Sequence, residues 1–255
     1  MKKDSGRGEI GDRDDDLMLD MYHMRVVTID QVQKLHFPSY FSARKRLYEL
    51  SWMGMIENNI YSRKEKLNIW RLTKRGFKRQ AEVAGTRDEQ YREWPSSKNI
   101  RHYIETNDVY MLVSGKLDEL LGEQIGEQPE WTWKDEARAT HNWKIGAQSG
   151  THRPDAEIKI GNRLYFIERQ TARSKESKSY FDTRMAQYQG YFRYAQAERA
   201  VEGCEVVWAC DKEQHQDYAF KAAQKYDIAT VADGLIGACE HLLERAGKLA
   251  NTMVR

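Results

Sequence analysis

Residues 153–170 read RPDAEIKIGNRLYFIERQ. Gly161-Asn162 is a favoured two-residue hairpin turn of type II′. With those residues as the loop, Ile160 faces Arg163, and counting outward sets Asp155 opposite Glu168. Two carboxylates with twelve residues between them then lie on adjacent strands, on one face. Directly opposed like charges destabilise a sheet. A divalent cation offsets them, and hard oxygen ligands on a rigid hairpin suit Mg²⁺ or Mn²⁺. Gln170, two residues past Glu168, points to the same side. The bland alternative is an amphipathic hairpin with both carboxylates in solvent, because one bulge slips the register.

Around this hairpin the pattern alternates between helix and strand. Residues 99–121, NIRHYIETNDVYMLVSGKLDELL, have helical spacing, with Ile100, Ile104, Met111 and Leu112 on one stripe that Asp108 interrupts. WTWKDEARA, at about 130–139, reads as a strand. A helix is expected from about Ser179 to Ala197, carrying Tyr180, Tyr188, Tyr191, Phe192 and Tyr194. Such an aromatic series is more often core than a stacking platform, and Tyr188 or Tyr191 is a minor candidate for a covalent nucleophile. EVVWAC (205–210) reads as an apolar strand flanked by Cys204 and Cys210. LIGACEHLLERAGKL puts Leu235, Cys239, Leu242 and Leu249 near one helical face, either as core cover or as a homodimer contact.

The N-terminal third has a different character. DDDLMLDMYHM (14–24) opens with acids suited to a helix N-terminus. In RVVTIDQVQKLHF, Thr28 and Gln31 form a capping box for a helix from about Ile29 to Leu35. Ser39 or Ser42 caps a third helix, which carries Arg44, Lys45 and Arg46 and stops at Gly54. MIENNIYSRKEKLNIWRLT then reads as a hairpin with a basic tip, and Thr73 caps a last helix, KRGFKRQAEVA. From Arg44 to Arg79 eleven basic residues face three acids, a net +8 within a chain of net +2. Helix, helix, basic helix, basic hairpin is the layout of a winged helix-turn-helix. There the third helix enters the major groove of double-stranded DNA and the wing touches phosphate. Arg44, Lys45 and Arg46, with Arg63 and Lys64 on the wing, are the expected DNA contacts. A winged helix used only for protein contacts is the competing possibility. TRDEQYREWPSSKN (86–99) mixes charge with Pro and Ser and is the best linker candidate.

Pro154-Asp155 followed by Glu168-Arg169-Gln170 resembles the P-D…(D/E)-x-K signature of the PD-(D/E)XK nuclease superfamily. The order of elements resembles its αβββαβ core. More specifically, the chain resembles the replication-relaxation family of plasmids and integrative elements over most of residues 20–195. The matching stretches are RVVTIDQVQKLHF, RLYELSWMGMI, LNIWRLTKRGFK, HYIETNDVY and RPDAEIKI…LYFIERQ. The resemblance implies an α+β or α/β protein: a winged helix over 14–86, a linker over 87–98 and a PD-(D/E)XK-like domain over 99–255. It implies a mobile-element DNA-binding protein that acts in replication or DNA relaxation and nicks DNA with Mg²⁺ or Mn²⁺. Asp155 and Glu168 would hold the metal, which activates water and polarises the scissile phosphate, with Asp108 or Glu105 as an added acid. Gln170 stands where the superfamily has lysine, and glutamine cannot supply positive charge. Lys175 or Lys178 is the candidate replacement, against the preferred reading of both as phosphate contacts or simply solvated. The alternative is a non-catalytic initiator, accessory or transcription regulator with an inactive nuclease fold.

Composition narrows the rest. Of 255 residues 40% are apolar and 28 are aromatic (7 Trp, 14 Tyr, 7 Phe), enough to fill cores. No stretch approaches the ~18 consecutive apolar residues of a membrane span, and the N-terminus lacks an apolar signal-peptide region. Three cysteines, Cys204, Cys210 and Cys239, lie outside metal-ligand spacing and read as a reduced cytoplasmic set. His141 and His152 flank the hairpin and read as non-ligands. Expected partners are double-stranded DNA and replication or conjugation proteins, not a membrane.

Overall fold

In a computed structural model of the chain, residues 9–62, 67–86, 90–121, 131–198 and 203–253 are described. They form a mixed α+β structure with eight helices and several sheets. Two compact units divide it, residues 1–107 and 108–255.

In the first unit, α1 (Asp12–Met24), β1 (Val27–Thr28), α2 (Ile29–His36) and α3 (Tyr40–Trp52) precede β2 (Ile56–Ser62), β3 (Leu67–Leu72) and α4 (Lys74–Val83). Local chemistry sets each helix start. The Thr28 side chain accepts from the Gln31 N–H while Gln31 Oε1 accepts from the Thr28 N–H, closing the capping box. Ser39 Oγ caps α3 through the Ser42 N–H, and Thr73 Oγ1 caps α4 through the Gly76 N–H. Gly54 turns the chain after α3 at φ +71. The antiparallel sheet runs β1-β3-β2. Leu17, Met18, Met21, Val32, Leu47, Leu50, Ile69 and Trp70 form the core. Arg63 and Lys64, which follow β2 in the sequence, lie outside the described residues.

α5 (Ser97–Leu121) crosses the division between the units. The expected linker, 87–98, falls within the first unit, and of it residues 87–89 lie outside the described residues. The segment after them packs against β3: Arg71 donates to the Arg92 carbonyl, and its guanidinium lies 4.4 Å from the Trp94 ring centroid. The first turns of α5 are held similarly, by Gln31 Nε2 donating to the Ile104 carbonyl and Asn107 Nδ2 to that of Val26.

The second unit adds β4 (Trp131–Asp135), β5 (His141–Ile145), β6 (Gln148–His152), β7 (Ala156–Ile160), β8 (Arg163–Gln170), α6 (Lys178–Ala197), β9 (Gly203–Cys210), α7 (Glu213–Tyr226), β10 (Thr230–Asp233) and α8 (Leu235–Met253). A five-stranded mixed sheet has the order β10-β9-β8-β7-β4, with β8-β9 and β9-β10 parallel. On one face Leu164, Phe166, Val206 and Trp208 pack against Phe181, Met185 and Tyr188 of α6 and Ala219 and Ala222 of α7. The opposite face meets α8 and the later turns of α5, where Tyr110 stands edge-on to Trp133. The β5-β6 hairpin, like β10, is an addition to the four strands expected from sequence. It lies on α6, with the Trp143 ring so close to Gly150 and Gly190 that a Cβ at either would come within 3 Å of it.

Gly76 is the tightest backbone approach in the first unit. A Cβ there would stand 2.1 Å from the Met55 carbonyl oxygen, which also accepts from the Thr73 N–H. Because the obstacle is backbone, α4 must move. Gly76→Ala is expected to cost about 2–3 kcal/mol, seen as a lower urea midpoint. An unchanged midpoint would show that α4 has room to shift.

Candidate functional site

The β7-β8 hairpin builds the site. Gly161 has φ +56 and Asn162 is not among the positive-φ residues, the signature of a type II′ turn. The ladder runs without a bulge from Ile160↔Arg163 to Ala156↔Ile167. Asp155, one residue before β7, continues it: its N–H donates to the Ile167 carbonyl (3.0 Å) and its Oδ2 accepts from the Arg169 N–H (2.7 Å). Asp155 and Glu168 are therefore neighbours, and the Asp155 charge acts to raise the Glu168 pKa.

Glu168 has no exposed surface. Its Oε1 accepts from the Arg184 guanidinium and from the Tyr188 hydroxyl (2.5 Å), both on α6. Arg184 also donates to the Arg153 carbonyl (2.7 Å). Burial pushes the Glu168 carboxyl up to about 7; Arg184 opposes this and Asp155 adds to it. Glu168 Oε2 and Gln170 Oε1, on the same strand face, are buried acceptors without a hydrogen-bond donor. The Gln170 amide reaches only weakly toward the Tyr180 hydroxyl, at 3.5 Å. Lys175 and Lys178 are exposed, Lys178 as the first residue of α6. Asp108 is within electrostatic reach of Cys239 on α8, as is Arg169; those groups belong to the sheet face opposite Glu168. Among the described residues no three His, Cys, Asp or Glu side chains form a metal-holding group.

Arg184 was not singled out in the sequence. Its one signal is spacing: it lies one helical turn before Tyr188, among the apolar positions Phe181, Met185 and Tyr188. A third carboxylate, Glu157, was also missed. It is buried on the same face, between Lys134 Nζ (2.8 Å) and His141 Nε2 (2.5 Å). Burial acts to raise its pKa, but His141 and Lys134 outweigh that and hold it below the ordinary value. His152 is buried and pushed down to about 2 by burial, so it is neutral. Tyr188 and Tyr191 are buried, and burial raises both phenols, which leaves them protonated and poor nucleophiles.

In the first unit, Arg44 and Lys45 are exposed on α3. Arg46 points elsewhere. It pairs with Asp14, donates to Glu49 Oε2 (2.7 Å) and to the Glu9 carbonyl (3.0 Å), and keeps little exposure. Phe41, Tyr48 and Trp52 share the outer face with Arg44 and Lys45.

The raised Glu168 pKa has a thermodynamic consequence. The fold favours the protonated carboxyl, so the penalty is absent below about pH 4.5 and grows as pH rises to about 7. Glu168→Gln keeps an acceptor for Tyr188 and removes the titration. Relative to the variant, the wild type is expected to lose about 2–3 kcal/mol between pH 4.5 and 7.5, read from paired melting curves. Parallel pH profiles would show that Arg184 fully compensates the charge.

Comparison with known proteins completes the site's context. A crystal structure of protein VC1899 from Vibrio cholerae aligns with a TM-score of 0.34 and 13% identity, over 91% of this chain and 51% of that one. The chain thus spans about half the length of that solved protein. No curated protein matches. The replication-relaxation family matches residues 19–207, nearly three quarters of the sequence and both compact units. The chain belongs to the replication-relaxation family.

Proposed function

We propose that the protein binds DNA in replication or relaxation of a mobile element, through a winged-helix first unit, and nicks DNA with a PD-(D/E)XK-like second unit. The observation that carries the catalytic part is the opposed pair Asp155 and Glu168, beside two buried oxygens, Glu168 Oε2 and Gln170 Oε1, that lack a donor. Oxygen acceptors without donors suit a hard cation, so the residues fit Mg²⁺ or Mn²⁺. Asp155 and Glu168 would hold it, with Gln170 as a neutral neighbour. When bound, such an ion lowers the pKa of water and polarises a phosphoryl oxygen.

The chain's own groups supply the rest. Arg184 remains positive at any working pH and compensates Glu168, bringing to the site the charge that Gln170 lacks. Tyr188 fixes the Glu168 rotamer by donating to Oε1. This gives the cationic role to Arg184 rather than to exposed Lys178. In the first unit Arg44 and Lys45 offer charge to DNA, and Arg46 instead braces α3 against α1 through Asp14.

One observation favours a second reading: the guanidinium already seated on Glu168 neutralises that carboxylate without a metal, as suits an inactive scaffold. Incubation of supercoiled plasmid with Mg²⁺ or Mn²⁺ separates the two. Nicked product that EDTA abolishes, and that falls by at least about 100-fold in Asp155→Asn and Glu168→Gln, is expected. No nicking with either ion supports the scaffold, and nicking that survives both substitutions places the active site elsewhere. Arg63→Gln with Lys64→Gln is expected to weaken binding to all sequences and to lower the salt slope by about 0.9 per lost phosphate contact. An unchanged slope would remove the wing from the interface.

A further inference from the structure

The outer face of α3 carries an unusual set of side chains. At 100° per residue, Phe41, Arg44, Lys45, Tyr48 and Trp52 fall within about a third of the helix circumference, while Ala43, Leu47 and Leu50 face the core. Phe41 is 76% exposed and Trp52 84%. Isolated exposed aromatics are ordinary, but three on one helical face with two cations are not. The platform is also anchored. The Tyr48 ring stands edge-on, 5.3 Å between centroids, to the fully buried Trp70, and the Arg44 guanidinium lies 5.7 Å from the Tyr48 centroid.

This chemistry suits unpaired nucleotides better than a closed duplex. A duplex offers base edges and phosphates, which polar side chains read. Among the five outward residues there is no Asn, Gln, Ser or Thr, and only Arg44 and Lys45 carry charge to offer an edge or a phosphate. Aromatic rings bind the faces of bases, which are accessible only when the strands are apart. From Phe41 to Trp52 the face is about 16 Å long, the length of four or five stacked nucleotides at about 3.4 Å each. The charge on the face is complementary, since Arg44 and Lys45 are both exposed there.

We infer that the α3 face is a single-stranded DNA platform, on which Phe41, Tyr48 and Trp52 stack bases while Arg44 and Lys45 hold the backbone. The inference rests on the proposed DNA-binding role of the first unit and specifies the form of DNA that this unit takes.

The test uses the full chain and fluorescein-labelled 30-nucleotide DNA, single-stranded or as duplex, by anisotropy at fixed salt. Single-stranded DNA is expected to bind at least about tenfold more tightly. Trp52→Ala and Phe41→Ala are each expected to weaken single-strand binding by roughly 5–100-fold, with duplex binding nearly unchanged. Trp52→Tyr is expected to restore most of the loss. Both residues are exposed, so melting temperatures should not move, and that measurement separates lost stacking from lost folding. If the DNA binds but the aromatic variants bind single strands as the wild type does, the platform is wrong and the DNA-binding reading stands. If neither form binds at low salt, both readings fall. If the variants instead change the mass seen by light scattering and leave DNA binding intact, the face joins protein copies and the inference is overturned.

Discussion

A carboxylate with no exposed surface must be neutralised or protonated, and Glu168 imposes that demand on everything around it. Arg184 and Tyr188 answer it from consecutive turns of α6, both reaching Oε1. Two bonds to one oxygen from adjacent turns fix the rotation of the helix about its axis. With that rotation set, Phe181 and Met185 go into the core with Phe166 and Trp208. Gly190, two residues past Tyr188, then presents the gap that admits Trp143 of the β5-β6 hairpin. Apolar residues at both 168 and 184 would pack about as stably, since desolvation consumes much of what a buried pair gains. The pair is therefore better explained by specificity or by a site than by stability.

Three carboxylates share one face of the β7-β8 hairpin, and each is handled by different means. Asp155, at the strand end, is satisfied by a backbone N–H, that of Arg169. Glu157, in mid-strand, receives Lys134 and His141 and is held below its ordinary pKa. Glu168 receives one cation and one phenol but lies deeper, and burial lifts its pKa. Two similar acids on adjacent strands are thus pushed in opposite directions, the divergence by which one surface assigns different protonation states to similar groups.

What was legible in the sequence was local. Thr28 with Gln31, Ser39 and Thr73 each act within three residues, so the helix starts could be read directly. The β7-β8 register followed from Gly161-Asn162 because a two-residue loop leaves no freedom. The same rule applied to Gly146-Ala147 would have revealed β5-β6, whose ladder begins at Ile145↔Gln148 and whose Gly146 has φ +57. Long-range partners were not legible. Arg46 reads as one of a basic triplet, yet successive residues turn 100° around a helix, and it falls on the flank where Asp14 waits. Nothing in the order of residues says which basic side chain of α6 reaches Glu168. Lys178 matched the expected chemistry, and the helix presents Arg184 instead.

That exchange alters what the site can do. A lysine is a compact charge that burial can deprotonate, so it can both attract phosphate and take part in proton transfer. Arg184 is held more firmly charged still, by Glu168 and Asp155 against the cost of burial, and its Nη2 already bridges Glu168 and the Arg153 carbonyl. It can fix geometry and offset charge, but it cannot serve as a base. Tyr180 and Tyr188 do not titrate near neutrality, because burial raises both phenols. Glu168, at about 7 in the metal-free site, does. A cation bound there would favour the ionised carboxylate, so ion binding and loss of the Glu168 proton are linked.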